Sequence, residues 1–329
     1  MKFGNLMFAS LAGWAATAAA LVATAPAYAA GPYPDHPVTI VVPFGAGGSA
    51  DEYTRVVAAR LQQKLGEPFI VENKVGAGGV VGTAYAAHAR PDGYTLLTVG
   101  NAQLIGESLR KNRPYVFLRD FTALAPINEA DLVLVANSKL KVRTVSDLIA
   151  LAKAEPGKLN YASAGVGTPY HLAGELFKSM AHIDVVHVPY KSSGEARMAV
   201  LSGQVAYMFD SVATMASSIK EGKVRALATA GPSRSVVLPD VPTLDEAGLK
   251  GYRATVFVGL GAPAGTPAPV LDKLNAAVAS ITSSPEISQS WASVGVRSMS
   301  MSRGDFQHYL RDEIQKYAKI VDDARIPGL

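Results

Sequence analysis

The sequence predicts an α/β protein of two lobes, with mainly parallel sheets flanked by helices. Three observations lead there. Short β-branched runs alternate with amphipathic helical patterns along the whole chain. Two glycine-rich turns, more than a hundred residues apart, each join a strand to a helix. Two changes of composition mark places where the chain crosses between lobes.

The 329 residues begin with a segment that does not belong to the fold. Lys2 is the single charge before Asp35, and residues 6–25 are almost wholly apolar. The run ends in Ala27-Tyr28-Ala29, a small-x-small cleavage pattern. Export, with residues 1–29 removed near Ala29, is preferred over a retained anchor, because the run is alanine-rich and leads straight into the cleavage pattern. The expected compartment is the periplasm. The chain has no cysteine, so an exported protein of this kind depends on its core rather than on disulfides.

After the leader, strands are predicted at Val38–Val42, Phe69–Glu72, Thr95–Val99, Leu132–Val135, Val185–Val188, Val205–Phe209, Arg225–Thr229 and Val256–Leu260. The first helix carries Val56, Val57, Leu61 and Leu65 on one face and stops at Gly66; Ser49 and Glu52 read as its capping box. Further helices are expected at Gly79–Ala89, Val145–Ala154, Pro169–Met180, Gly194–Ser202, Val270–Ser280 and Arg303–Asp323. The composition changes at Asp120–Asp131 and Tyr252–Pro263 place lobe 1 at 30–128 and 254–329, and lobe 2 at 129–253.

The formal net charge is +4, one unit of it from Lys2, and the charges are scattered. No basic tract suggests nucleic acid, and a mild positive charge favours the approach of anions. Templates for catalysis are missing: there is no G-x-S-x-G elbow and no H-E-x-x-H pair. His171 and Glu175 share a helical face, but one such pair points to core or capping roles more than to metal. No cofactor is expected. Gly45-x-Gly47 and Gly76-x-Gly78 each follow a strand, yet Ala50 and Val81 stand where a dinucleotide fingerprint needs its third glycine.

Carboxylate capture suits the glycine turns better. The first, Pro43–Asp51, offers bare backbone N–H groups ahead of a helix N-terminus. The second, Ala162–Pro169, adds the hydroxyls of Ser163 and Thr168, with Thr168 and Pro169 as N-cap and N1. These hydroxyls either meet a ligand or serve only as turn and cap groups. Asp51 either answers the helix dipole alone or also receives a ligand hydroxyl or ammonium. One helix N-terminus contributes roughly 0.3–1 kcal/mol, whereas micromolar binding needs about 8 kcal/mol. Two opposed loops and exclusion of water are therefore required.

The motifs Ile40-Val41-Val42-Pro43-Phe44-Gly45-Ala46-Gly47-Gly48 with Asp51, Glu72-Asn73-Lys74 with Gly76-Ala77-Gly78-Gly79, Pro91-Asp92-Gly93-Tyr94-Thr95, Tyr161-Ala162-Ser163, His187-Val188-Pro189-Tyr190-Lys191 and Leu238-Pro239-Asp240-Val241-Pro242-Thr243 recur in this order in one known family. The chain resembles the Bug-type solute-binding proteins of tripartite tricarboxylate transporters, also called TctC. The resemblance implies a two-lobed Venus-flytrap receptor of the type II-like periplasmic-binding-protein fold, not an enzyme. It implies a monomer that delivers a small mono-, di- or tricarboxylate, aliphatic or aromatic, to membrane permease subunits. Carried over residue by residue, ligand contacts fall on Phe44, Gly45, Ala46, Gly48 and Asp51 in the first loop. In the second they fall on Ser163, Gly167, Thr168 and His171. Asp210 also falls at a cleft position, where it either meets a distal amine or hydroxyl or caps a turn. Ser192, Glu195 and the segment Arg113–Phe121 depart from the family pattern and leave the ligand's identity open. The rival readings are a sensor subunit for a carboxylate and an exported hydrolase.

Overall fold

In the computed structural model, residues 33–190 and 192–329 are described. The expected leader and Lys191 lie outside them. Ten strands form one sheet among these residues: β1 (Val38–Val42), β2 (Phe69–Asn73), β3 (Thr95–Gly100), β4 (Phe121–Asn137), β5 (Asn160–Ser163), β6 (Val186–Pro189), β7 (Tyr207–Ser211), β8 (Val224–Thr229), β9 (Thr255–Pro263) and β10 (Val296–Ser298). Eleven α-helices accompany them: α1 (Ser49–Leu65), α2 (Val80–Ala87), α3 (Asn101–Leu109), α4 (Phe117–Asp120), α5 (Val145–Ala154), α6 (Pro169–Ala181), α7 (Ser193–Ser202), α8 (Val212–Lys220), α9 (Ala268–Thr282), α10 (Pro285–Ala292) and α11 (Arg303–Asp323). A single 3-10 turn, Ala77–Gly79, precedes α2.

The strand order is β2-β1-β3-β9-β4-β7-β5-β6, with β8 and β10 also paired to β4. Parallel pairs lie at the two ends, β1 with β2 and β3, and β5 with β6 and β7. The antiparallel pairs belong to β4 and β9, in the middle. From Phe121 to Asp131, β4 pairs with β9; from Leu132 onward it pairs with β7 and β8. One strand therefore joins both halves of the sheet, and its partners change between Asp131 and Leu132.

Helices cover both faces, which explains the continuous apolar runs. On β1, Ile40 faces α1 and α9, where Val57, Leu61, Leu274 and Val278 are buried; Val41 faces α3 and α11, with Leu104, Ile105, Phe306 and Leu310. On β4, Leu132, Leu134 and Ala136 face Leu148 and Phe177, while Val133 and Val135 face Val200 and Met215. Each fully buried Val, Leu or Ile contributes roughly 1.5–3 kcal/mol against exposure.

The sequence reading and the structure differ in three places and agree in a fourth. Asp120–Asp131, read as a proline-marked stretch ahead of a strand at Leu132–Val135, is itself mostly strand, since β4 begins at Phe121. Register shifts between Ala123 and Ala125 and between Pro126 and Asn128 absorb Pro126 as β-bulges. The expected capping box is not formed, since the α1 N-cap is Gly48 and Ser49 already lies inside the helix. Helices α3, α4, α8 and α10 and strand β10 were not anticipated, being short and buried on tertiary partners. The expected stop at Gly66 is present as a left-handed C-cap donating to Gln62 O at 3.0 Å.

Candidate ligand-binding site

The first loop leaves β1 at Pro43 and enters α1 with its backbone exposed from Gly45 to Ser49. Its N-cap, Gly48, has no side chain to satisfy the first helical turn. The first backbone bond into this turn runs from Glu52 N to Gly48 O, 2.9 Å. The N–H groups of Ser49 and Ala50 have no acceptor among the described residues, as helix geometry requires of an uncapped terminus. They carry the positive end of a 17-residue helix.

Asp51 shapes this loop from the inside. It is 3% exposed. Its carboxylate accepts from Gly47 N at 2.9 Å, Arg55 Nε at 3.0 Å and Asn73 Nδ2 at 2.8 Å. Asn73 also donates to Phe44 O at 3.0 Å, and Arg55 Nη2 donates to Asn73 Oδ1 at 2.9 Å. The Arg55 hydrogen bond, aided by Gly47 and Asn73, holds the Asp51 carboxyl at about 2, so it is ionised at neutral pH. These bonds tie both ends of the loop to α1 and β2. Its remaining N–H groups are thereby preorganised.

The second loop follows β5 into α6. Thr168 caps the helix as expected: its Oγ1 accepts from His171 N at 3.4 Å and donates to Gly165 O at 2.7 Å. Ser163 is fully buried; its Oγ accepts from Gly165 N at 3.1 Å and lies 2.6 Å from His187 Nε2. Gly167 N donates to His171 Nδ1 at 3.2 Å, which places the His171 proton on Nε2. The His171 and His187 rings stack at 4.0 Å, and His187 stacks on Tyr161 at 4.8 Å. Beneath them, Tyr161 donates to Glu175 Oε1 at 2.6 Å, and Lys178 Nζ pairs with the same oxygen at 2.9 Å. Burial lowers both imidazoles to about 4, aided by Lys178 at His171 and by His171 and Lys178 at His187, so both are neutral at pH 7.

In this arrangement the side chains of Ser163, Thr168 and His171 are turned inward and hold the loop's shape. The backbone N–H groups of Val166 and Tyr170 have no acceptor among the described residues. Asp210 is fully buried; Arg197 Nε reaches its Oδ2 at 2.9 Å and Ser211 N its Oδ1 at 2.8 Å. Burial raises its carboxyl, with Arg197 working against that rise. Strands β5 and β7 pair in parallel with Ala162 opposite Met208, so Asp210 lies at the end of the sheet from which the second loop leaves.

A third glycine turn and α3 connect the two loops. A Cβ on Gly79 would lie 3.1 Å from Phe44 Cε1, and one on Gly78 would collide with the Arg110 guanidinium. A Cβ on Gly167, whose φ is +78°, would lie 2.9 Å from Leu109 Cδ1. The end of α3 thus touches the second loop through Leu109 and the third through Arg110. The expected residues fall into two groups: Phe44, Gly45, Ala46, Gly48 and Asp51 on one loop; Ser163, Gly167, Thr168, His171 and Asp210 at the other. Sequence reasoning gives no site role to Arg55, Asn73, Leu109, Arg110 or Arg197, although Asn73 lies in one of the quoted motifs. The (i, i+4) pairing of Asp51 and Arg55 was a usable signal for one of these; the others are brought in by tertiary contacts.

Comparison with known proteins decides the family. A family model described as the tripartite tricarboxylate transporter family receptor matches residues 53–326. The chain belongs to that family. Protein BugT of Bordetella pertussis is 35% identical over 291 residues, covering 88% of this chain and 89% of its own. An R. palustris protein solved with adipate is 31% identical, with a TM-score of 0.80, covering 90% of this chain and 100% of its own. MatC from Rhodopseudomonas palustris, solved with bound malate, is 32% identical with a TM-score of 0.75, covering 88% and 100%. The fold of this family receptor is accordingly that of periplasmic binding proteins, and the family consists of solute-binding receptors rather than enzymes.

Proposed function

We propose that this receptor captures a small organic carboxylate in the periplasm, after export and removal of residues 1–29, and hands it to the permease subunits of a tripartite tricarboxylate transporter. The observation that carries the reading is the first loop. An exposed, uncapped helix terminus is held rigid by Asp51, Asn73 and Arg55, and its free N–H groups are suited to a carboxylate oxygen. The second loop, Ser163–His171, supplies the opposing donors from its backbone, while its side chains keep that backbone in place. Neighbours of this fold that hold adipate and malate support the ligand class.

The mechanism follows from where the donors sit. Loop 1 belongs to residues 30–128 and 254–329, and loop 2 to 129–253, which we take as two lobes hinged on β4 and β9. A carboxylate bridging both loops is bound in full only when the lobes approach, so it shifts the population toward the closed form. Closure removes water, and each N–H to carboxylate bond strengthens as the local dielectric falls. The protein is expected to act as a monomer and without a cofactor.

The test is a thermal-shift and calorimetry panel of mono-, di- and tricarboxylates on the mature chain. A ligand present at 1,000 times its Kd stabilises by about 4 kcal/mol, a rise in Tm of several degrees. Gly48→Val provides the matched variant. Its Cβ would meet only Gly45 O at 3.6 Å, so the fold tolerates it while the isopropyl group covers the N–H cluster. Binding in the parent and its loss in Gly48→Val are expected. A panel with no hit at millimolar concentration overturns the carboxylate reading; unchanged affinity in Gly48→Val overturns the first loop's part in it.

A further inference from the structure

Arg110 caps the C-terminus of α3 and has no carboxylate partner among the described residues. The acid nearest to it in sequence is fully used: Glu107 receives Arg113 Nε at 2.7 Å, Arg113 Nη2 at 2.9 Å and Phe117 N at 3.1 Å. Arg113 also donates through Nη1 to Arg110 O at 2.7 Å. The Glu107–Arg113 pair therefore fixes the backbone from which the Arg110 side chain leaves. That side chain lies over Gly78, whose φ is +64° and whose missing Cβ makes room for the guanidinium. Gly79 abuts Phe44 of the first loop, and Leu109 abuts Gly167 of the second. An unpaired, positioned cation is thus held on the third glycine turn, which abuts the first loop through Gly79, and it follows directly on Leu109, which abuts the second. A guanidinium presents a planar fork of donors suited to a carboxylate.

We propose that Arg110 binds the distal carboxylate of the ligand, so that the receptor prefers dicarboxylates to monocarboxylates of the same length. This rests on the carboxylate-receptor reading above and deepens it. The loops take one carboxylate through backbone donors; Arg110 takes the second as a charge pair over Gly78. A ligand lacking the second carboxylate leaves the guanidinium unpaired in the closed cleft and gains nothing from it. Discrimination comes from this one side chain, while the loops fix the general class.

Calorimetry on the mature chain with matched pairs, adipate against hexanoate and succinate against butyrate, tests this directly. The parent is expected to bind the better dicarboxylate roughly 10- to 100-fold tighter than its monocarboxylate partner, the range of a hydrogen-bonded charge pair. Arg110→Gln should remove that preference while leaving monocarboxylate affinity as it was, and Arg110→Lys should keep part of it. Equal affinities in the parent, or equal losses for both members of a pair in Arg110→Gln, overturn the inference and leave the receptor reading intact. Failure of the parent to bind any carboxylate overturns the receptor reading, and the inference falls with it. Melting of the two variants without ligand within about 2 °C of the parent, a change near 1 kcal/mol or less, shows that any loss is one of recognition.

Discussion

At Ser163 a single hydroxyl meets Gly165 N, Gly165 O and the His187 imidazole. A residue of this kind holds the shape of its loop, and the same is true of His171 and Asp51. Such groups have a pH signature. His171 and His187 lie at about 4 in the fold against an ordinary 6.5. The groups around them are each other, Glu175, which raises His187, and Lys178, which lowers both. Between these two values the unfolded chain binds protons that the folded chain refuses. The stability they support is complete above pH 6.5 and is lost as pH falls toward 4. For the nearly buried His171 alone this is on the order of 2 kcal/mol. Melting temperature is expected to fall between about pH 7.5 and pH 5, and to fall less in a His171→Gln, His187→Gln double variant. Parallel pH profiles for parent and variant would place the sensitivity elsewhere.

Among the elements, β4 has the most consequences. It crosses from one half of the sheet to the other, and charges sit at the crossing. Arg297 on β10 pairs with Asp131 through two bonds, the Nη2–Oδ1 one at 2.7 Å, and with Glu129 Oε1 at 3.0 Å. Arg253, just before β9, reaches Glu129 Oε2 at 3.2 Å. Burial alone would raise the Glu129 carboxyl, but Arg297 and Arg253 hold it below the usual range. Asp131 is 1% exposed, so removing its partner strands a buried charge. Arg297→Met is expected to cost about 3 kcal/mol and to lower Tm by several degrees, with ligand affinity less affected than stability. A variant melting within a degree of the parent would show that the Arg297–Asp131 pair contributes little to stability. The sequence reading placed a crossing in this stretch, and the proline that marked it is real. That Asp120–Asp131 is nevertheless strand follows from two bulges and from pairing with β9, which local pattern does not report.

For the whole molecule, the arrangement predicts a change of shape on binding. Helix α6 carries the second loop, yet its Leu172 and Leu176 pack with Tyr317 and Ile320 of α11 in the other half. A ligand joining the loops adds to this contact, and the two halves are expected to close. Small-angle scattering with a saturating ligand from the panel should show a smaller radius of gyration than the free chain. Identical scattering curves would rule out closure as the source of affinity.

The sequence by itself determined the α/β class, the stop at Gly66, the Thr168–Pro169 helix start, the two glycine loops and the family. Each of these is written in local pattern: apolar period, cap residues, and turns that need glycine. Tertiary structure alone decided which groups the loops leave open. The sequence leaves Asp51 between the helix dipole and a ligand group, and Asp210 between a ligand group and a turn cap; in the fold Arg55 and Asn73 pair with the first and Arg197 with the second. Arg110 has no motif at all. It stands out because the chain brings it over Gly78, thirty-two residues away along the sequence, while Arg113 occupies the acid that would have neutralised it. Charge pairing depends on distance in space, and that distance is set by packing rather than by order along the chain.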